Sequence, residues 1–198
     1  MSYKTKDHYF KKAKEGNFAA RSVFKLEEID QKYHIFKAGQ RVLDLGAAPG
    51  SWSQYVSKRV GLNGFIFGID LKEIKISLKN AKFVVADILE TNIQDLVGDL
   101  KLFDVVMSDM APQTTGIKFT DQERSLELCE MALETAKAQL KNHGSFICKL
   151  FHGESFTQFR GKLKEEFNKV EVLKPKSTRK TSKEIFLICT NYKGLSVD

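Results

Sequence analysis

The stretch Arg41–Trp52, RVLDLGAAPGSW, constrains this chain more than any other. Val42, Leu43 and Leu45 form a short apolar run that suits a buried strand, interrupted by Asp44. Gly46-Ala47-Ala48-Pro49-Gly50 then turns the chain into a helix beginning near Ser51. Small residues there let a ligand approach the backbone, and the free amides of a helix N-terminus favour a polar or anionic group. Pro49 is expected at the first helical position, where its missing N–H has no intrahelical partner anyway. Strand, glycine turn and helix make the first unit of a doubly wound α/β sheet, whose ligands sit at the carboxyl ends of the strands. Ala48 stands where G-x-G-x-x-G has its second glycine, so a nicotinamide-type pyrophosphate is not the first ligand to expect. The bland alternative is a tight connection that binds nothing.

The strands that follow argue for a ligand. Phe65–Ile69 is a second strand ending at Asp70, 24 positions after Gly46. An acid there, about 20 residues past the turn, is where nucleoside-binding sheets grip a ribose diol. Lys82–Ala86 is a third strand, again ending in an acid, Asp87, and Phe103–Ser108 a fourth that runs into Asp109-Met110-Ala111-Pro112. Asp44, Asp70 and Asp87 at or near three successive strand ends indicate a polar nucleoside pocket without a phosphate-neutralising lysine.

Around this frame the periodicity places helices. Residues 3–15 suit a short amphipathic helix, and residues 19–33 a clearer one, with Val23, Leu26, Ile29 and Tyr33 as its stripe. Lys25 sits beside that stripe and reads, locally, as a solvated surface lysine. A helix follows from Ser51 to about Arg59. Thr120 and Glu123 make a capping box that opens a long helix to about Lys141, with Leu126, Cys129, Leu133, Ala136 and Leu140 facing the core. Gly144 ends it and opens a fifth strand, Ser145–Phe151, in which Lys149 either snorkels outward or is held by a carboxylate. Another helix over 154–167, a sixth strand at Val170–Leu173 and a seventh at Glu184–Thr190 complete the reading, with Glu184 opening the last strand.

Charge narrows the partner. Of the net +7, residues 1–25 hold seven basic and two acidic side chains, a net +5. Lys174, Lys176, Arg179, Lys180 and Lys183, with no acid among residues 174–183, give another +5 and leave the rest at −3. Two basic segments around a slightly acidic body are an electrostatic footprint for nucleic acid; the alternative is two solvated, flexible tails. Tyr3, Tyr9, Phe10 and Phe18 interleave the first segment, unlike a simple charged tail. At 198 residues the chain is read as one domain, with residues 1–35 a basic helical extension that contributes to nucleic-acid binding and to the site. No apolar run approaches the roughly 20 residues of a membrane helix, and Asp7 and Glu15 are unlike an acid-poor transit peptide. Cys129, Cys148 and Cys189 read as buried thiols of a reducing compartment, the cytoplasm, and not as a disulfide framework or metal site.

Five segments carry a resemblance: K-A-K-E-G-N-F-A-A-R-S-V-F-K-L at 12–26, D-L-G-A-A-P-G-S-W at 44–52, S-D-M-A-P at 108–112, C-K-L-F-H-G at 148–153 and S-K-E-I-F-L-I at 182–188. In this order, across almost the whole chain, they resemble the FtsJ-type RNA 2′-O-ribose methyltransferases, most of all the branch that methylates a uridine of large-subunit ribosomal RNA. The resemblance implies a Rossmann-like, seven-stranded, mostly parallel sheet with an antiparallel last strand. It also implies S-adenosylmethionine as donor and a Lys-Asp-Lys-Glu tetrad, which falls on Lys25, Asp109, Lys149 and Glu184. Gly50 and Trp52 are assigned to the methionine end, Asp70 to the ribose hydroxyls, Asp87 to the adenine and Asp109 to the sulfonium, with Gly46 and Ala47 of the turn completing the cofactor set. Ser51 departs from the family, where a second glycine is common, and Leu71–Asn80 lacks the proline-containing turn often found after the ribose acid.

The four residue types suit the chemistry. A ribose hydroxyl is a weak nucleophile that loses its proton as the bond to methyl forms. Lys149, desolvated and near Lys25, is expected to take that proton or to steer the hydroxyl, with Asp109 and Glu184 orienting it. Two ordinary ion pairs are the structural alternative. The chain is read as a monomer acting on RNA, with no membrane partner. Competing functions are methylation of transfer RNA, a non-catalytic RNA-binding or ribosome-assembly role, and a small-molecule methyltransferase.

Overall fold

The computed structural model describes residues 8–98, 100, 102–179 and 181–194; Tyr3, Asp7, Lys180 and the start of the first expected helix lie outside them. Seven strands, β1 (Arg41–Leu45), β2 (Phe65–Asp70), β3 (Ala81–Val85), β4 (Phe103–Ser108), β5 (Leu140–Phe151), β6 (Phe167–Leu173) and β7 (Glu184–Tyr192), form one sheet in the order β3-β2-β1-β4-β5-β7-β6. β1 to β5 are mutually parallel, and β7 runs antiparallel to both β5 and β6. The expected seven-stranded sheet with its last strand antiparallel is therefore present.

Side chains alternate across a strand, so each central strand feeds two apolar layers. Leu43, Leu45, Phe67, Val106, Phe146 and Leu187 belong to the layer that takes in Cys129, Leu133 and Ala136 of α5 (Lys118–Gln139) and Phe159 and Leu163 of α6 (Phe156–Glu166). Val42, Ile66, Val105, Met107, Ile147 and Ile188 meet Leu26 and Ile29 of α2 (Val23–Tyr33) and Val56 and Val60 of α3 (Ser51–Val60) on the other. The short α1 (His8–Glu15) adds Ala13 to a small cluster with Val23 and Phe24. All three cysteines are buried free thiols. Among the described residues no helix is long and apolar enough to cross a membrane.

Several boundaries differ from the sequence reading for local reasons. Pro49 precedes the helix: Gly50, at φ 105°, is the N-cap of α3, and the Ala48–Pro49 bond is cis. Thr120 and Glu123 form no capping box, because α5 begins earlier and its cap, Ile117, has no capping side chain. Asp121 instead reaches back to accept the amides of Thr115 (2.7 Å) and Gly116 (3.2 Å), and Glu123 accepts from Ser155. α5 ends at Gln139 and β5 starts at once with Leu140, which pairs with Phe103 before the register shifts to Val105↔Ser145. The five-residue helix α4 (Ile93–Val97), capped by Asn92 on the Gln94 amide, is too short to have shown a stripe.

Candidate active site

One half of the site is built where β1, β2 and β4 end. Gly46, at φ 76°, and Gly50 both need a backbone conformation that a side chain disfavours. A Cβ at Gly46 would strike Met110, and one at Gly50 would strike Ile76. Ala47 packs against Gly68, leaving the turn low over the sheet. Asp70, at the end of β2, accepts the Ala48 amide on Oδ2 (2.9 Å) and the Lys72 amide on Oδ1 (2.8 Å). It is thereby fixed in place, and each oxygen keeps a lone pair for a hydroxyl donor. Asp87 accepts the Leu89 amide at 2.9 Å, which sets the turn after β3.

Asp44 is fully buried; its Oδ2 accepts from the Ser53 hydroxyl at 2.6 Å, and its Oδ1 has no partner. Burial, and then the charges of Asp109 and Asp70, push its carboxyl up to about 7 against the Ser53 bond that pulls it down. Three carboxylates within electrostatic reach, one with an orphaned buried oxygen, fit a cationic ligand. Together with the glycine cradle and the free oxygen capacity of Asp70 they suit a sulfonium-bearing nucleoside. Trp52 behaves differently from a ligand-facing ring: its indole N–H donates to the Ser22 carbonyl at 3.0 Å and its ring lies 5.8 Å from that of Phe186, inside the core. Only its backbone, in the first turn of α3, is available to the ligand turn.

The other half is built from two ion pairs. Lys149 is only 5% exposed; its Nζ donates to Asp109 Oδ1 at 2.9 Å and to the Asp109 carbonyl. Lys25 Nζ donates to Glu184 Oε2 at 2.6 Å and lies 5.7 Å from the Phe186 ring. β7 runs against the parallel strands, so its first residue arrives at the carboxyl end of β5. Burial pushes the Glu184 carboxyl up, but Lys25 beside it and Lys149 beyond outweigh this and hold it below the usual range. All four tetrad positions thus gather at one place. Asp109 serves Lys149 and Glu184 serves Lys25, where the sequence reading had both acids on Lys149. Lys25 is buried, and its local reading as a solvated lysine does not hold.

A clasp that the sequence reading missed joins the two basic segments. Glu28 of α2 accepts the amides of Lys176 (2.6 Å) and Ser177 (2.8 Å), and Arg21 Nη2 donates to the Ser177 carbonyl at 2.6 Å. Burial and Arg179 push the Arg21 guanidinium down, against Glu184, so the clasp lies beside the tetrad. Between the segments runs an open groove of about 640 Å³, with Tyr9, Lys12, Phe24, Lys32, Lys174 and Lys176 among its walls. No local pattern marks Glu28, since its partners lie 148 and 149 residues away.

The chain has known relatives in both sequence and fold. The sequence model of one family, FtsJ-like methyltransferase, matches residues 18–192. A Bdellovibrio bacteriovorus protein named ribosomal RNA large subunit methyltransferase E is 59% identical over 191 residues, 95% of this chain and 97% of its own. A solved Plasmodium falciparum structure, assigned as a ribosomal RNA methyltransferase, superposes with a TM-score of 0.78 at 29% identity, covering 89% of this chain and all of that one. A SAM-dependent O-methyltransferase of Thermotoga maritima shares the fold alone, with a TM-score of 0.59 at 16% identity over 85% of this chain and 64% of its own.

Proposed function

Because the chain belongs to the FtsJ-like methyltransferase family, we propose that it transfers a methyl group from S-adenosylmethionine to a ribose 2′-hydroxyl of RNA, a uridine of large-subunit ribosomal RNA. The observation that carries the reading is the pairing of Lys25 with Glu184 and Lys149 with Asp109, with Glu184 under the influence of both lysines. A pure binding module gives no reason to bury Lys149 in a central strand. The relative named for the large ribosomal subunit, alike over nearly the full length of both chains, supports ribosomal over transfer RNA. The groove between the two basic segments, where four lysines outnumber Glu27 and Glu28, supports an RNA acceptor over a small molecule.

The donor, when bound, supplies an electrophilic methyl group on a sulfonium. In our reading Asp70 takes the ribose hydroxyls, Asp87 borders the adenine, and Gly46, Ala47, Gly50 and the Trp52 backbone face the methionine end. Asp44, held up to about 7 in the ligand-free protein, ionises more readily beside that cationic centre, and Asp109 adds negative charge. The acceptor hydroxyl sits against Lys149, which gives up a proton to solvent and, as the neutral amine, takes the hydroxyl proton on Nζ while Asp109 holds that nitrogen in place. Lys25 and Glu184 fix the hydroxyl from the other side, so positioning supplies much of the acceleration. Residues up to about 35 act as part of the same domain, carrying Lys25 and one wall of the groove. One chain supplies both halves of the site, in keeping with a monomer, and three free thiols suit a reducing cytoplasm.

Tritiated methyl transfer to separated ribosomal subunits and to transfer RNA, followed by nucleoside mapping, tests this. Label is expected in large-subunit RNA as 2′-O-methyluridine. Label confined to transfer RNA would move the acceptor, and no transfer to any RNA would remove the reading.

A further inference from the structure

Glu184 borders two spaces. On one side it meets Lys25; on the other it is part of the wall of a separate cavity of about 310 Å³, with Lys118, Gln122, Phe151, Ser182 and Lys183. That is the small end of the roughly 300–1,000 Å³ usual for ligand pockets. Phe151 stands directly opposite Glu184 in the β5–β7 ladder. Directly opposed residues of an antiparallel pair put their side chains on one face, with Cβ atoms about 4.5–5.5 Å apart. Lys149, two residues earlier in β5, shares that face. The same side of β5 therefore presents first the buried amine and then a half-buried aromatic ring beside the Glu184 carboxylate.

We propose that this cavity receives the base of the acceptor nucleotide, turned out of its stack, and that Phe151 is the surface on which it stacks. The inference rests on the reading of RNA ribose methylation above. A 2′-hydroxyl at Lys149 leaves little choice for its base, which hangs from the neighbouring ribose carbon and must occupy space next to the tetrad. The donor half lies across the tetrad towards β1 and β2, which leaves the Phe151 cavity. Single-stranded RNA is read by splaying bases onto aromatic rings and bonding their edges, and the cavity has both means. Gln122 is held by its bond to the His152 carbonyl at 2.6 Å, which leaves its amide oxygen to accept from a base edge, and the Ser182 hydroxyl, which accepts the Glu184 amide at 3.2 Å, holds the Glu184 carboxylate in the wall. Asp121 pins the loop over the cavity through Thr115 and Gly116. Ile117, the N-cap of α5, and Phe119 in its first turn are 63% and 64% exposed, an apolar rim suited to the neighbouring nucleotide.

Two measurements on the full chain test this. Phe151→Leu keeps apolar volume and removes the ring, whereas Phe151→Tyr keeps the ring. With large ribosomal subunits as acceptor, Phe151→Leu is expected to lower kcat/KM by roughly fivefold or more. Phe151→Tyr is expected to stay near wild type, and donor affinity by calorimetry to stay unchanged in both. In the second, large-subunit RNA transcribed with 5-bromouridine is irradiated with the wild-type protein and S-adenosylhomocysteine, and the crosslinked peptides are sequenced. A crosslink at Phe151 is expected. Equal kcat/KM in Phe151→Leu and wild type, or crosslinks confined to the Tyr9–Lys176 groove, would overturn the base pocket while active wild type leaves the methyltransferase reading standing. Inactive wild type on every RNA would instead sink that reading.

Discussion

In the proposed reading, the donor half and the acceptor half of this site are made in opposite ways. The donor half comes from neighbouring parallel strands, and its acids are tied to amides two to 22 residues away: Asp70 to Ala48 and Lys72, Asp87 to Leu89. The acceptor half comes from partners far apart, Lys25 with Glu184 across 159 residues and Arg21 with Ser177 across 156. Their electrostatics are also opposed. In the donor half Asp44 is held up to about 7 by burial and by its neighbours Asp109 and Asp70. In the acceptor half each acid has a lysine, and Glu184 is held below its usual range. Asp109 belongs to both, charged towards Asp44 and paired with Lys149.

If the division is real, substitutions should separate cleanly between donor affinity and the handling of RNA. The largest effect is expected from Lys149→Arg, which keeps charge and donors but does not deprotonate in a protein. Single-turnover methylation should fall by roughly a hundredfold or more with donor and RNA affinities retained. Near-normal turnover would mean that Lys149 only positions the hydroxyl. Next comes Asp70→Ala, which removes charge-assisted bonds to the ribose and should weaken donor binding by roughly tenfold or more by calorimetry. RNA affinity should not follow; if it did, the two halves would be one.

A smaller effect appears as a slope against pH. In the ligand-free protein the native state keeps a proton on Asp44 up to about 7, whereas the unfolded chain loses it near 3.8. Stability should therefore fall as pH rises between those values, by about 1 kcal/mol per pH unit. Urea unfolding of Asp44→Asn should flatten that fall. Glu184 has the reverse sign: its contribution is present above the ordinary 4.5 and is lost only as pH drops through its lowered value. The smallest effect is expected from Glu28→Ala, which frees the Lys176 and Ser177 amides. Filter binding should show RNA affinity down about threefold and a flatter salt dependence, with donor affinity untouched.

The same division decides what was legible in the sequence. The strand-end acids Asp70, Asp87 and Asp109 and the glycine turn were readable because each sits at a fixed offset from an apolar run. Lys149 was readable as an anomaly within such a run. Lys25 was not: periodicity left it beside the stripe of α2, and only the ordered set of motifs pointed to the tetrad. The division of the two acids between the two lysines, and the Glu28 clasp, depend on how segments more than a hundred residues apart dock. The failed capping box shows the limit at short range as well. Thr120 and Glu123 have the right spacing, yet Asp121 holds the preceding loop and α5 starts two residues before Thr120.

The place of β7 in the sheet has a consequence for the living cell. It is made after β6 in sequence, yet lies between β5 and β6, which pair with it and not with each other. During translation the strands around the glycine turn emerge early and β5 can join β4, while β6 has no partner in the sheet until β7 is made. Glu184, Phe186 and the Lys25 salt bridge arrive together with that partner. The pairing of Lys25 with Glu184 is therefore among the last contacts to form, well after the strands around the glycine turn are in place.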